Sequence, residues 1–144
     1  MPLPPDLKES YLRTAYTART DDGSALVIRV GRRHPELDAL LAEAQASSWA
    51  FITAWNPWSR QLSEEANRLR QSALLAEIGG RFRYFKGEGI AEDGVWVEPS
   101  LLILGISRAE ALRLAEQFEQ NAIVVAERGG AAELAWTRGH GENA

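Results

Sequence analysis

Ser48-Trp-Ala-Phe-Ile-Thr-Ala-Trp55 is apolar at nearly every position and lacks the alternation of a half-buried strand. A run of this kind, bounded by a turn signal, reads as a strand covered on both faces or central in its sheet. Asn56-Pro57 ends it, because proline has no amide hydrogen for a central ladder, so the chain turns there and crosses residues 58–62. Ser63 is then an N-cap, Glu64 and Glu65 occupy the first turn, and Gly79-Gly80 closes a helix of about four turns. Upstream, His34-Pro-Glu36 opens another helix: Pro35 suits the first helical position, and Leu37, Leu40, Leu41 and Ala44 recur at i, i+3, i+4 and i+7.

Residues 11–19 and 25–31 are β-favouring runs across Thr20-Asp-Asp-Gly-Ser24, whose Asp-Gly supplies hairpin turn chemistry. Residues 81–85 and 95–104 read as two strands joined through the glycine-rich segment 86–94, taken as a flexible turn. Ser107-Arg-Ala-Glu110 is a capping box opening a third helix, with Ala111, Leu114, Ala115 and Phe118 as its buried stripe. Residues 121–126 and 133–136 form a last hairpin across Gly129-Gly130. The order is ββαβαββαββ, which predicts an α+β fold: one mainly antiparallel or mixed sheet with three helices packed on it. Residues 11–137 form that single domain, with an N-terminal extension over 1–10 and a polar tail over 138–144.

A chain of 144 residues, 45% hydrophobic and 25% charged, is of a size and composition to hold one core without a disulfide or a metal. It has no cysteine, which removes thiolate nucleophiles, zinc–cysteine sites and iron–sulfur clusters and suits a reducing cytoplasm. The start, Met1-Pro-Leu-Pro-Pro-Asp6, has neither a basic nor an apolar leader region, and no apolar run approaches the roughly 18 residues that span a bilayer. A cytoplasmic protein with no membrane partner is expected. The net charge of −4 has the wrong sign for attraction to phosphate backbones, so a nucleic-acid partner is not expected.

The strongest candidate site is Ala54-Trp-Asn-Pro-Trp-Ser59 with Ser63 and Asn67, which puts polar side chains where a buried strand meets the first turns of a helix. Amides at that helix N-terminus favour an anion or a carbonyl oxygen. The structural alternative is equally physical: Asn56 and Ser59 satisfy turn backbone groups, Pro57 fixes the bend, and Trp55 and Trp58 plug the core. Asn67, Arg70, Gln71 and Leu74 share one side of the helix, so Arg70 either clamps a carboxylate or phosphate or is an ordinary ion-paired arginine near Glu65 or Glu77.

A second candidate is Val95-Trp-Val-Glu-Pro-Ser-Leu-Leu-Ile-Leu104, where Glu98 interrupts an apolar strand and shares a face with Trp96 and Ser100. Pro99 in mid-run calls for an edge position or a bulge. Partly desolvated, the Glu98 carboxyl would have a raised pKa suited to general acid–base work; the alternative is a structural Glu98–Arg pair pinning strand to helix. Other features weaken on context. Gly87-Glu-Gly89 joins strand to strand, so it is no dinucleotide loop. His34 reads as a cap and His140 lies in the tail, so neither a metal nor a histidine triad is expected, and no cofactor is implied. Asn121 reads as a helix C-cap, and the five tryptophans as core.

The elements Ala54-Trp-Asn-Pro-Trp-Ser59 with Ser63 and Asn67, Gly87-Glu-Gly89, Trp96-Val-Glu-Pro-Ser100 and Phe118-Glu-Gln-Asn-Ala-Ile123 resemble bacterial domain-of-unknown-function family 3293. The resemblance runs from about Tyr16 to Trp136, and departs from it at Ala66, where similar sequences carry an acidic residue. It implies a small stand-alone bacterial protein and brings no activity, substrate or cofactor with it. Three functions follow from the residues. In the first, Asn56, Ser59, Ser63, Asn67, Arg70, Glu98 and Ser100 line a cleft for a small polar or anionic ligand, or a partner peptide. In the second, Glu98 is the general acid or base of a hydrolase or group transferase. In the third, the chain is a homodimeric interaction module joined through the N-terminal hairpin or an exposed tryptophan.

Overall fold

A computed structural model of the chain describes residues 5–137, with side chains from Leu7 onward. Seven strands form one sheet: β1 (Ala15–Arg19), β2 (Ala25–Ile28), β3 (Ser48–Ile52), β4 (Arg83–Ile90), β5 (Val97–Leu104), β6 (Ala122–Glu127) and β7 (Glu133–Trp136). Their spatial order is β2-β1-β4-β5-β3-β6-β7, and each neighbouring pair is antiparallel. The helices are α1 (Pro5–Arg13), α2 (Pro35–Glu43), α3 (Glu64–Ile78) and α4 (Arg108–Gln117). No helix among the described residues is long and apolar enough to cross a membrane. The fold is α+β, with a fully antiparallel ladder among the described strands.

β3 behaves as its unbroken apolar run requires. It lies between β5 and β6, and alternate residues enter opposite cores. Ala50 and Ile52 join Leu74, Ile78, Ala111 and Leu114 under α3 and α4, while Trp49 and Phe51 join Tyr16, Leu37 and Leu41 on the α2 side. Side chains spaced at a period of two thus feed two layers of helix. Ser63 and Ser107 cap α3 and α4, accepting from Ala66 N and Glu110 N at 3.1 Å each. Gly80, at φ +82°, takes the left-handed position after α3. On α3 the side carrying Asn67, Leu74 and Ile78 is buried, and Leu69 on the opposite side is 68% exposed.

Four parts of the sequence reading are corrected. The described residues form four α-helices, not three, because residues 5–13 are helical: Pro5 at the helix start and Arg13 in its last turn outweigh the β preference of Tyr11 and the residues after it. The first strand accordingly begins at Ala15 rather than at Tyr11. The glycine-rich segment is a strand in its first half, since β4 continues through Ile90. Gly87 faces Ala18 across the ladder, and a Cβ there would lie 2.1 Å from Thr17 O; glycine allows β1 and β4 to approach. Asn121 is not the α4 C-cap. Phe118 is, followed by Glu119 at φ +59°. The tail beyond Thr137 lies outside the described residues.

Pro99 meets the edge condition locally. β3 reaches only as far as Leu101 of β5, so Pro99 has a strand neighbour on the β4 side alone, opposite Glu88, and the β4–β5 register runs on without a bulge. Glu98 and Ser100 therefore share a face with Leu102 and Leu104, the face that α2 covers further along.

Candidate functional site

The chain leaving β3 makes a strained turn. Asn56, Trp58 and Ser59 have φ of 49°, 52° and 62°, and none is glycine. Left-handed backbone is tolerable for asparagine and costly for a bulky residue, and such conformations persist where the surroundings dictate them. Two segments do so here.

The first is α3. Asn67, 1% exposed, accepts from Asn56 N through Oδ1 at 2.8 Å and donates through Nδ2 to Asn56 Oδ1 at 2.8 Å. Asn56 Oδ1 also accepts from Leu62 N at 3.0 Å. One turn further on, Gln71 Oε1 accepts from Ala54 N at 2.9 Å, and Arg70 Nε donates to Ala54 O at 2.8 Å. The second segment follows α4. Arg70 also donates to Phe118 O and pairs with Glu119, Trp58 donates both its amide and its indole N–H to Glu119, and Gln120 Nε2 donates to Trp55 O at 3.0 Å. Asn121 Nδ2 donates to Ser59 Oγ at 2.8 Å.

This network leaves one group of Asn56 to point outward. Its Nδ2 donates to Glu98 Oε2 at 2.9 Å, and the Trp96 indole donates to the same oxygen at 3.2 Å. Burial pushes the Glu98 carboxyl above its ordinary pKa, and the two hydrogen bonds oppose the shift without cancelling it. Among the described residues no Lys or Arg pairs with Glu98.

Glu98 stands in the wall of a cavity of about 410 Å³ between α1 and the sheet. Asn56, Ser59 and Ser100 share that wall; Ser100 is buried and donates to Glu98 O at 3.0 Å. Ser63, Asn67 and Arg70 do not reach it. Ser63 is an exposed cap, Asn67 holds Asn56 from behind, and Arg70 ties strand end, turn and α4 terminus together. The candidate residues thus separate into four at the cavity and three behind or beside it.

α1 supplies what sequence reasoning missed. Leu7, Ser10 and Tyr11 form the side of the cavity opposite the sheet. The Tyr11 phenol, hydrogen-bonded with Ser59, is pushed up to about 12 by burial and then by the charge of Glu98, so it is a neutral donor at physiological pH. Tyr16 donates to Tyr11 O at 3.0 Å, and burial raises its phenol too. Trp55 lines the cavity, and its Nε1 is the one buried side-chain polar atom among the described residues without a partner. The signal for α1 was present in Pro5 followed by Leu7 and Tyr11 at i and i+4, a short apolar stripe behind a proline start. A wider hollow of about 620 Å³ beside Trp49 and Ser107 has only exposed charged residues, Arg108, Glu127 and Glu133, and no buried titratable group.

A family model described as "Protein of unknown function (DUF3293)" matches residues 52–123, half of the 144-residue chain. The chain belongs to this family. No curated protein and no solved structure matches it. The DUF3293 segment carries the strained turn, α3, Glu98 and the 118–121 segment, and so contains the whole polar network around Asn56. Tyr11 and Tyr16, which complete the cavity from α1 and β1, precede it.

Proposed function

We propose that this protein binds a small polar molecule in the cavity between α1 and the sheet, through the carboxylate of Glu98. One observation carries the reading: a partly buried carboxylate without a charged partner faces a cavity of small-molecule size, with both protein donors on Oε2 and Oε1 left for a ligand. The Trp55 side chain adds aromatic surface to the same wall. Of the two ligand classes considered, the polar one is preferred to the anionic one, because Arg70, the intended anion clamp, has its guanidinium on backbone carbonyls. A cytoplasmic, bacterial protein is proposed with it, supported by the cysteine-free sequence and the family resemblance.

The test is a thermal-shift screen of wild type and Glu98→Gln against amino acids, nucleosides, amines and sugars. A ligand that binds only the native state raises Tm by mass action. A compound that stabilises wild type and not the variant is the expected result; a panel that shifts neither would remove the proposal.

A second reading, a hydrolase or group transferase with Glu98 as general acid or base, is favoured by the raised carboxyl pKa and the neutral Tyr11 phenol beside it. On that reading Glu98→Gln retains binding of the screened compound and loses its turnover. A homodimer paired through β2, an edge strand of four residues with Val27 half exposed, is the third, and a monomer mass independent of concentration in light scattering would end it.

A further inference from the structure

The charge and ring content of the cavity wall narrow the ligand beyond "polar". Glu98 is the first observation. A carboxylate drawn out of water is costly unless a cation or several donors compensate, and Glu98 has two neutral donors on one oxygen. A purely structural role would be filled as well by glutamine, whose single carbonyl oxygen could accept both bonds. The structural alternative weighed for this residue, a Glu98–Arg pair, is absent among the described residues; Arg70 pairs with Glu119.

The second observation is the sign of the wall. Among the described residues it contains no Lys, Arg or His, and its other charged member is Asp93, in the β4–β5 turn, where Oδ1 accepts from Val95 N at 2.9 Å. An entering anion meets two carboxylates and no positive charge. The third is the rings. Tyr11, Tyr16, Phe51, Trp55 and Trp96 all line the cavity, and aromatic faces attract cations while giving an apolar body contact area. No three His, Asp or Glu side chains converge among the described residues, so the donor set does not suit a metal ion.

We infer that the cavity takes an organic cation: an ammonium or guanidinium head placed against Glu98 Oε1, carried on an apolar body that lies among the rings of Tyr11, Tyr16, Trp55 and Trp96. This rests on the reading of the cavity as a ligand site. The cation supplies the charge partner that Glu98 lacks, and the head group can donate to Oε1 without displacing Asn56 or Trp96 from Oε2. Asp93 at the turn biases approach in the same direction.

Isothermal titration of 2-phenylethylamine, 2-phenylethanol and 3-phenylpropionate at neutral pH into wild type, Glu98→Gln and Glu98→Asp tests this, since the three probes share a body and differ in head charge. The amine is expected to bind wild type at least about tenfold more tightly than the alcohol, with the carboxylate weakest, a factor worth about 1.4 kcal/mol. Glu98→Gln should abolish the preference, and Glu98→Asp should keep it, which separates charge from any effect on folding. The alcohol or the carboxylate binding wild type as tightly as the amine would overturn the cation inference and leave the cavity reading standing. An amine preference that survives Glu98→Gln would overturn the role of Glu98. Absence of heat from all three probes, with folded protein, would overturn the inference together with the reading beneath it.

Discussion

Asn67→Ala removes the group that holds the strained turn. The side chain makes two good hydrogen bonds, both at 2.8 Å and both to Asn56, and a long third to Leu62 O at 3.4 Å. Two bonds contribute about 2 kcal/mol net, and Asn56 N, left buried without an acceptor, costs about 1–3 kcal/mol more. The expected destabilisation is therefore about 3–5 kcal/mol, or a Tm lower by about 10–15 °C for a domain of this size. Thermal and guanidinium unfolding followed by circular dichroism measure it, with Arg68→Ala as the control. Arg68 sits on the exposed side of the same helix, paired with Glu64, and its loss should cost below about 0.5 kcal/mol. Asn67→Asp sharpens the test, since it keeps the acceptor for Asn56 N but sets a carboxylate oxygen against Asn56 Oδ1; it should be no better than alanine at neutral pH. If Asn67→Ala were within about 1 kcal/mol of wild type, the turn would hold its shape without α3, and the account of how Asn56 is aimed at Glu98 would be wrong.

Glu98→Gln should leave stability at pH 7 unchanged or raised: the folded-state pKa of Glu98 lies above its unfolded value, so its protonated form favours folding, and that contribution, full below the unfolded pKa, is lost as pH rises through the folded one. Urea unfolding of both proteins between pH 4 and pH 8 reads this as a wild-type deficit that grows with pH. Arg70→Ala should lower stability by about 2 kcal/mol by orphaning the Ala54 carbonyl and leaving Phe118 O with Gln120 Nε2 as its remaining side-chain donor, and Arg70→Lys should recover little, because one ammonium cannot span both carbonyls and Glu119. Gly87→Ala should cost about 3 kcal/mol or prevent folding, since its Cβ would lie 2.1 Å from Thr17 O in the adjacent strand; urea unfolding measures the loss.

How much of this could be read from the chain alone differs from element to element for physical reasons. The central strand, the α2 start at Pro35 and the caps at Ser63 and Ser107 were legible because each rests on a local rule: an unbroken apolar run, a fixed φ, a hydroxyl that accepts an amide. α1 left only a short signal, a proline start and the Leu7–Tyr11 spacing, because a nine-residue helix draws its stability from packing, here Tyr11 edge-on to Trp136 at 5.7 Å, and the residues it packs on are distant in sequence. Gly87 read as a turn for the same reason: the demand for glycine comes from the neighbouring backbone of β1. At the site, helical periodicity put Asn67 and Arg70 on the side facing the turn. Spacing carries no information on whether a polar group meets a ligand or a backbone, and both meet backbone. Glu98 was legible as a carboxylate in apolar company; its partner Trp96 sits two residues away on the same face.

The central claim is that the cavity beside Glu98 is where a ligand binds. An NMR titration of ¹⁵N-labelled protein with a panel of small amines, alcohols and carboxylates observes it through the side-chain N–H groups of three residues that line the cavity: Asn56 Nδ2, Trp96 Nε1 and Trp55 Nε1. The account predicts that at least one compound shifts all three signals, leaves the Trp49 indole beside the other hollow unmoved, and loses its effect in Glu98→Gln. Three signals unmoved by the whole panel, or moved equally in wild type and variant, would contradict it.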